Sequence, residues 1–261
     1  MADFFDLLNI QSLSVIDAPG GNPFINGDID LSGSDIAAIP PNLTIMGSLI
    51  LRDCAKLSTL PTGLDIMDSL DLRNTPITAL PSDIGVGRDM MLENTKLMTL
   101  PAGLAVEGAL DLEGSLITSL PTNLYVDGYL NLRDTLITEL PEDWSVEGPI
   151  LLDTSRIRSP LTWRRVPLNA LSPDDHIMQD YVLDTSVVDR FFWHQGQPEN
   201  YVELFAIWVS GEIRVFAGRH VSSSGGFEHH NVSEIFRQAA RECVTELEAM
   251  LQTLAERRGD A

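Results

Sequence analysis

"TLPAGLAVEGALDLEG" occupies residues 99–114, and "SLPTNLYVDGYLNLRD" occupies residues 119–134. The two stretches agree at nearly every apolar position and differ at nearly every polar one. A shared core imposes agreement of this kind, because packing constrains apolar volume and a solvated face does not. Placing the Leu-Pro dipeptides in register extends the pattern in both directions. Ile39-Pro40, Leu60-Pro61, Leu80-Pro81, Leu100-Pro101, Leu120-Pro121 and Leu140-Pro141 recur every 20 or 21 residues. The unit reads L-P-x-x-L-x-V-x-G-x-L-x-L-x-x-T-x-I-x-x. A fixed period of this size predicts a solenoid in which each unit stacks on the next.

Each unit holds one short strand, marked by the pairs Ile29/Leu31, Leu49/Leu51, Leu70/Leu72, Met90/Leu92, Leu110/Leu112, Leu130/Leu132 and Ile150/Leu152. Strand alternation sends each pair inward and the intervening residue outward. Three more apolar positions per unit complete the expected core. One is filled by Ile36, Leu57, Ile77, Leu97, Ile117, Ile137 and Ile157. The second holds Leu43, Leu64, Ile84, Leu104, Leu124 and Trp144, and the third holds Ile45, Ile66, Val86, Val106, Val126 and Val146. Proline closes each turn and lacks an N–H, so the back of the stack is expected to be extended or polyproline-like rather than helical.

Stretches such as "LDLEGSLITSLP" (110–121) and "LNLRDTLITELP" (130–141) resemble the leucine-rich repeat family. The short period with Leu-Pro is similar to the bacterial subtype of secreted effectors and of phage- and bacterium-encoded repeat proteins. The resemblance covers about residues 25–160 in seven units. One departure is visible: the family's Asn or Cys after the strand is here Ser34, Cys54, Thr75, Thr95, Ser115, Thr135 and Ser155. A short hydroxyl still bonds to backbone in a turn. The resemblance implies a curved solenoid with a parallel sheet on its concave face, and protein binding as the commonest role. The fold class expected is an α/β-type leucine-rich repeat solenoid with a mostly non-helical convex side, followed by a small α+β C-terminal domain. Cys54 falls in the buried turn slot, where a thiol acts as a small hydrophobe.

The outward strand positions form columns, and here the units stop copying one another. The middle column runs Asp30, Ile50, Asp71, Met91, Asp111, Asn131, Leu151. The next runs Ser32, Arg52, Arg73, Glu93, Glu113, Arg133, Asp153, and the column before includes Asp89 and Tyr129. Two readings stand. The charges tile a solvated sheet, where exposed pairs contribute about 0–1 kcal/mol each. Alternatively they bind a partner: Glu93 beside Glu113, with Asp89 and Asp111 close by, concentrates negative charge around Ile50, Met91, Tyr129 and Leu151. The partner-binding candidates are Asp30, Ile50, Arg52, Asp71, Arg73, Asp89, Met91, Glu93, Asp111, Glu113, Tyr129, Asn131, Arg133, Leu151 and Asp153.

Charge narrows the partner. The 261 residues carry a formal net charge of −21. Residues 1–159 hold 23 acidic and 8 basic side chains, so the acidity belongs mainly to the repeats. Direct nucleic-acid binding is disfavoured, because phosphates need Lys and Arg. A basic protein surface, or a groove that normally holds nucleic acid, fits the charge better. The two cysteines, Cys54 and Cys243, are too far apart in sequence and context to form a disulfide framework, so a reducing compartment is expected. No basic leader and no apolar run of about 18 residues appears, which predicts no membrane span. Cytoplasmic residence is expected, or a host cell if export uses another signal.

The repeat lapses at "SRIRSPLTWRRVPL" (155–168), which sets the expected boundaries: an N-terminal cap over 1–24, the solenoid over 25–159 and the C-terminal domain over 160–261. In that domain, "YVELFAIWVSGEIRVFAGRH" (201–220) reads as a hairpin over 201–218 turning at Ser210-Gly211. Asn231 with Glu234 gives a capping-box start to a helix over 231–257. Its stripe of Phe236, Ala240, Cys243, Leu247, Met250 and Leu254 either docks on the hairpin or pairs with a second copy. Residues 172–195 are expected to form short helices with Phe191, Phe192 and Trp193 as core.

Catalytic and metal signatures are weak. "DIDLSG" (28–33) starts like a calcium loop, but its twelfth position is Ile39 where a Glu is needed. Cys243 sits on the apolar stripe, where a buried thiol stays protonated. His220, His229 and His230 lack ligands of standard spacing. The expectation is a recognition protein without enzymatic activity, cofactor or metal. The alternatives are an effector enzyme that selects substrates through its repeats, and an acidic inhibitor that mimics nucleic acid.

Overall fold

The computed structural model describes residues 4, 15–16, 23–141, 143–158, 160–167, 201–209, 212–217, 220–223 and 233–258. The chain divides into two compact units, Met1–Gly148 and Pro149–Ala261. The expected short helices over 172–195, the Asn231 cap, His229 and His230 lie outside the described residues.

The first unit is a parallel-strand solenoid whose coils stack about 20 residues apart. Ile29–Asp30, Leu49–Ile50, Leu70–Asp71, Met90–Met91, Leu110–Asp111 and Leu130–Asn131 pair in sequence order. The L-x-L positions align without slippage, so Leu49, Leu70, Met90, Leu110 and Leu130 stack at 0% exposure. Fully burying one such side chain contributes about 1.5–3 kcal/mol. Slippage by one residue would turn this whole column outward, which is what fixes the register.

The back of the stack is non-helical, and of the two expected forms it takes the extended one, as paired strands rather than polyproline. Phe24–Ile25, Leu43–Ile45, Leu64–Ile66 and Gly85–Val86 form one parallel ladder, and Ala105–Val106, Tyr125–Val126 and Ser145–Val146 form another. The L-x-V segment alternates just as L-x-L does, and the proline stands outside it, where it withholds no ladder donor. Val15–Ile16 pairs antiparallel with Phe24–Ile25 at the N-terminal end. Ile84 and Val86, expected in the core, are only half-buried. They belong to "DIGVG" (83–87), where the ladder lapses between Val86 and Ala105.

Tight turns explain residues the repeat pattern leaves unassigned. Two positions after each of the first six inward strand pairs the backbone is left-handed, at Gly33, Asp53, Asn74, Asn94, Gly114 and Asp134. Only Gly, Asn and Asp tolerate this region routinely. The hydroxyl slot follows directly. Thr75, Thr95 and Thr135 are buried and donate to the carbonyls of Leu72, Leu92 and Leu132 at 2.6, 2.8 and 2.7 Å. The Cys54 thiol donates to the Leu31 carbonyl at 3.1 Å. Ser155 does not join this set: it is exposed, and Thr154 is buried in its place within the 3-10 turn Thr154–Arg156. Ser115 occupies the slot, yet its hydroxyl is buried with no partner among the described residues. Ser115→Ala is therefore expected to leave stability within about 0.5 kcal/mol, whereas Thr95→Val loses a made bond and costs roughly 1 kcal/mol. Urea midpoints at constant slope measure the pair, and equal losses would contradict the assignment.

The second unit contains the antiparallel sheet Leu161–Pro167, Tyr201–Val209, Glu212–Ala217 and His220–Ser223, paired in that order. The hairpin reading of 201–218 is met by the middle two strands. The outer two were not read from sequence: in "LTWRRVP" the paired arginines and the proline obscure the alternation. Helix Glu234–Arg258 packs on one face, where Val166, Leu204, Ala206 and Val215 meet Phe236, Ala240, Cys243, Val244 and Leu247. It starts later than the capping-box reading, with the Phe236 amide donating to Ser233 Oγ at 3.3 Å. Met250, expected in the stripe, is exposed, and Leu254 is half-buried. Phe205, Ile207, Val209 and Phe216 are buried on the opposite face.

Candidate partner-binding face

The register places Asp71, Met91, Asp111 and Asn131 side by side on the outer side of the L-x-L ladder. Neighbouring strands lie about 4.8 Å apart, so the flanking column Arg73, Glu93, Glu113, Arg133 lines the same surface. These residues do not all stand free in solvent. Asp71, Asp111 and Asn131 are 9%, 5% and 0% exposed.

The middle column has a structural task the sequence reading missed. Asp71 Oδ1 accepts from the Arg73 amide at 3.1 Å, Asp111 Oδ1 from the Glu113 amide at 3.0 Å, and Asn131 Oδ1 from the Arg133 amide at 3.2 Å. Asp30 Oδ1 accepts from the Ser32 amide at 3.0 Å. Each side chain thus closes an Asx turn at its strand end. Ile50 and Met91 interrupt this series and take no part in it. The recurrence of Asp or Asn between the two inward residues of the L-x-L pair, at the last strand position, was the available signal.

The two arginines of the flanking column are each held in a cluster of acceptors. Arg73 donates from Nε and Nη2 to the two oxygens of Asp71 at 2.9 and 2.6 Å, a bidentate pair within its own coil. The Asp71 carboxylate holds the Arg73 guanidinium protonated beyond its ordinary range. Arg133 Nη2 reaches Glu113 Oε2 at 3.0 Å, and Asn131 Nδ2 bridges Glu113 Oε2 at 2.8 Å and Asp111 Oδ2 at 3.1 Å. The Tyr129 hydroxyl also donates to Asp111 Oδ2, at 3.3 Å, and lies 3.8 Å from Met91 Sδ. Glu93 lies between the clusters. Its Oε1 is 4.0 Å from Arg73 Nη1, and its Oε2 is buried with no hydrogen-bond partner among the described residues. Burial, and then the Asp111 charge, push the Glu93 carboxyl up to about 7. Burial likewise raises Asp111, and burial followed by the Asp111 charge raises the Tyr129 phenol.

The remaining candidates are more accessible. Arg52 and Asp30 are exposed, and Ile50, Met91, Asp89 and Tyr129 are half-buried. Asp89 spends one oxygen on the Ala109 amide, at 2.7 Å. Leu151 and Asp153 belong to the second unit, where Asp153 lies 3.7 Å from Arg156. Asp28 and Asp30, the acidic start of the calcium-like stretch, bind the backbone amides of Ser48 and Ser32.

The other reactive side chains are quiet. Burial pushes the Cys243 thiol up to about 11, and Cys54 is a buried free thiol. Among the described residues no group of three or more His, Cys, Asp or Glu is arranged to hold a metal ion, and no helix is long and apolar enough to cross a membrane. Comparison of the chain with protein-family models, with curated proteins and with solved structures gave no match.

Proposed function

We propose that the chain is a non-enzymatic recognition protein of the leucine-rich repeat type, and that the outer, concave face of its L-x-L ladder captures a protein partner. The observation that carries this reading is the contrast within one register. Inward positions repeat the same apolar residues through successive coils, while Ile50, Arg52, Met91, Glu93 and Tyr129 follow no structural rule at theirs. The Asx turns and the two arginine clusters hold the sheet around them rigid, and a preordered surface loses less entropy on binding. The net charge of −21 favours a partner with a basic surface. Two buried free thiols suit a reducing compartment, the cytoplasm of a cell that makes the protein or receives it.

Ile50→Lys combined with Met91→Lys, which sets positive charge against a basic partner, tests the reading. Both side chains lie off the core, so the melting temperature is expected to hold. Capture of the partner from the native lysate is expected to fall roughly thirtyfold, the loss that marks one hot-spot residue. Undiminished capture by a folded double variant would refute the proposal.

A further inference from the structure

Residues 26–28 carry the chain from the back strand Phe24–Ile25 to the front strand Ile29–Asp30, and they read Asn-Gly-Asp. Asn26 is exposed, and no hydrogen bond among the described residues holds its side chain. Gly27 sits at φ 122, a backbone region that excludes other residues, so the glycine is dictated by the turn. The remaining described asparagines are placed differently. Asn42 and Asn123 precede leucine, and Asn74 and Asn94 precede threonine. Asn74 and Asn94 are also tied into a side-chain ladder with Asp53, at 2.8 and 3.1 Å, and Asn131 is fully buried.

We propose that Asn26-Gly27 is a site of spontaneous deamidation that loosens the first coil of the solenoid. With no side chain to hinder it, the Gly27 amide nitrogen attacks Asn26 Cγ. A new C–N bond closes a succinimide, the Cγ–Nδ2 bond breaks, and the nitrogen's proton leaves with Nδ2 as ammonia. Water then opens the ring at either carbonyl, giving aspartate or isoaspartate, with no redox change. Both products add a negative charge next to Asp28.

Isoaspartate does more, because it lengthens the main chain by a methylene. The link it lengthens has no slack. Ile25 pairs with Ile45, Ile29 pairs with Leu49, and residues 46–48 make the matching link in the next coil. The two links are in close contact: a Cβ on Gly47 would lie 2.7 Å from the Gly27 carbonyl carbon and 2.8 Å from the Asp28 nitrogen. A longer 26–28 link cannot keep both ladders in register against its neighbour.

The test is peptide mapping by mass spectrometry of the full, folded chain during incubation in mildly alkaline buffer, with the melting temperature followed in parallel. The expected result is loss of the Asn26 amide, divided between aspartate and isoaspartate, while Asn42, Asn74, Asn94, Asn123 and Asn131 keep theirs. The melting temperature should fall as isoaspartate accumulates, and Asn26→Gln should abolish both changes. An Asn26 amide retained by the folded chain but lost from a heat-unfolded sample would overturn the proposal. Earlier loss at another of these asparagines would also overturn it. Full conversion to isoaspartate with an unchanged melting temperature would refute the loosening of the first coil.

Discussion

Glu93→Gln is expected to raise stability at pH 8 and to flatten the dependence of stability on pH between about 4.5 and 7. In the folded chain the Glu93 carboxyl holds its proton up to about 7, against an ordinary value of 4.5. The folded state therefore binds more protons than the unfolded chain across that window. The stability this group contributes is complete below 4.5 and is lost as pH rises through 7. A shift of this size corresponds to at most about 3 kcal/mol. The side chain is only 14% exposed, so solvent screens little of it.

The cause is geometric. Burial leads, the Asp111 charge adds to it, Asp71 adds less, and Arg73 opposes both from 4.0 Å because its short bonds go to Asp71. Glutamine keeps the shape and removes the charge. Thermal melts of wild type and variant across the window measure the difference. That difference cancels groups with opposite dependence, such as Asp30, whose carboxyl is held low by Ser32. Parallel pH curves would mean that Glu93 titrates as an ordinary exposed carboxylate. Because Asp111 is raised too, the titration followed by carboxyl NMR belongs to the pair rather than to either residue alone.

Glu93 also marks the limit of what the sequence reveals. The inward columns are legible because they repeat: a 20-residue period with apolar residues at fixed offsets admits few packings, and Leu49 through Leu130 stack as expected. Which outward charges remain unpaired is not legible, because it depends on rotamers. Arg73 turns to its own coil, and Arg133 turns to the preceding one. From sequence, Glu93 and Glu113 look equivalent, yet only Glu113 acquires an arginine at 3.0 Å. The Asx turns were readable in principle, since Asp30, Asp71, Asp111 and Asn131 recur in register. The second unit was less legible for the opposite reason: with no repeat to average over, each strand had to be recognised from its own few residues. Trp163, Arg164 and Arg165 hid one that packs in full register against Tyr201–Val209.

Gly128→Ala is expected to destabilise the solenoid by about 1–3 kcal/mol, the usual cost of overpacking. The reason is spacing and not backbone angle, since Gly128 is absent from the left-handed positions. A Cβ at 128 would lie 2.6 Å from the Gly108 carbonyl carbon, 2.7 Å from its oxygen and 2.8 Å from the Ala109 nitrogen, all main-chain atoms of the preceding coil. Relief requires the coils to part, but Val106↔Val126 and Leu110↔Leu130 clamp them two residues away on either side. The same stack shows how it yields. Asp68 and Arg88 occupy the equivalent position, and there the inter-coil bonds are 3.4 and 3.1 Å, against 2.9 Å from the Gly128 amide to the Gly108 carbonyl. Such adjustment limits the loss without removing it. Gly103→Asn serves as the control. Its φ is +67 with nothing within 4 Å of a Cβ, and Asn123 holds the equivalent turn position at φ 53, so the change is expected to cost within about 0.5 kcal/mol. For a chain of this size each kcal/mol lowers the melting temperature by roughly 2–4 °C. Melting temperatures of the two variants that fall together would remove close inter-coil approach as the reason for glycine at 128.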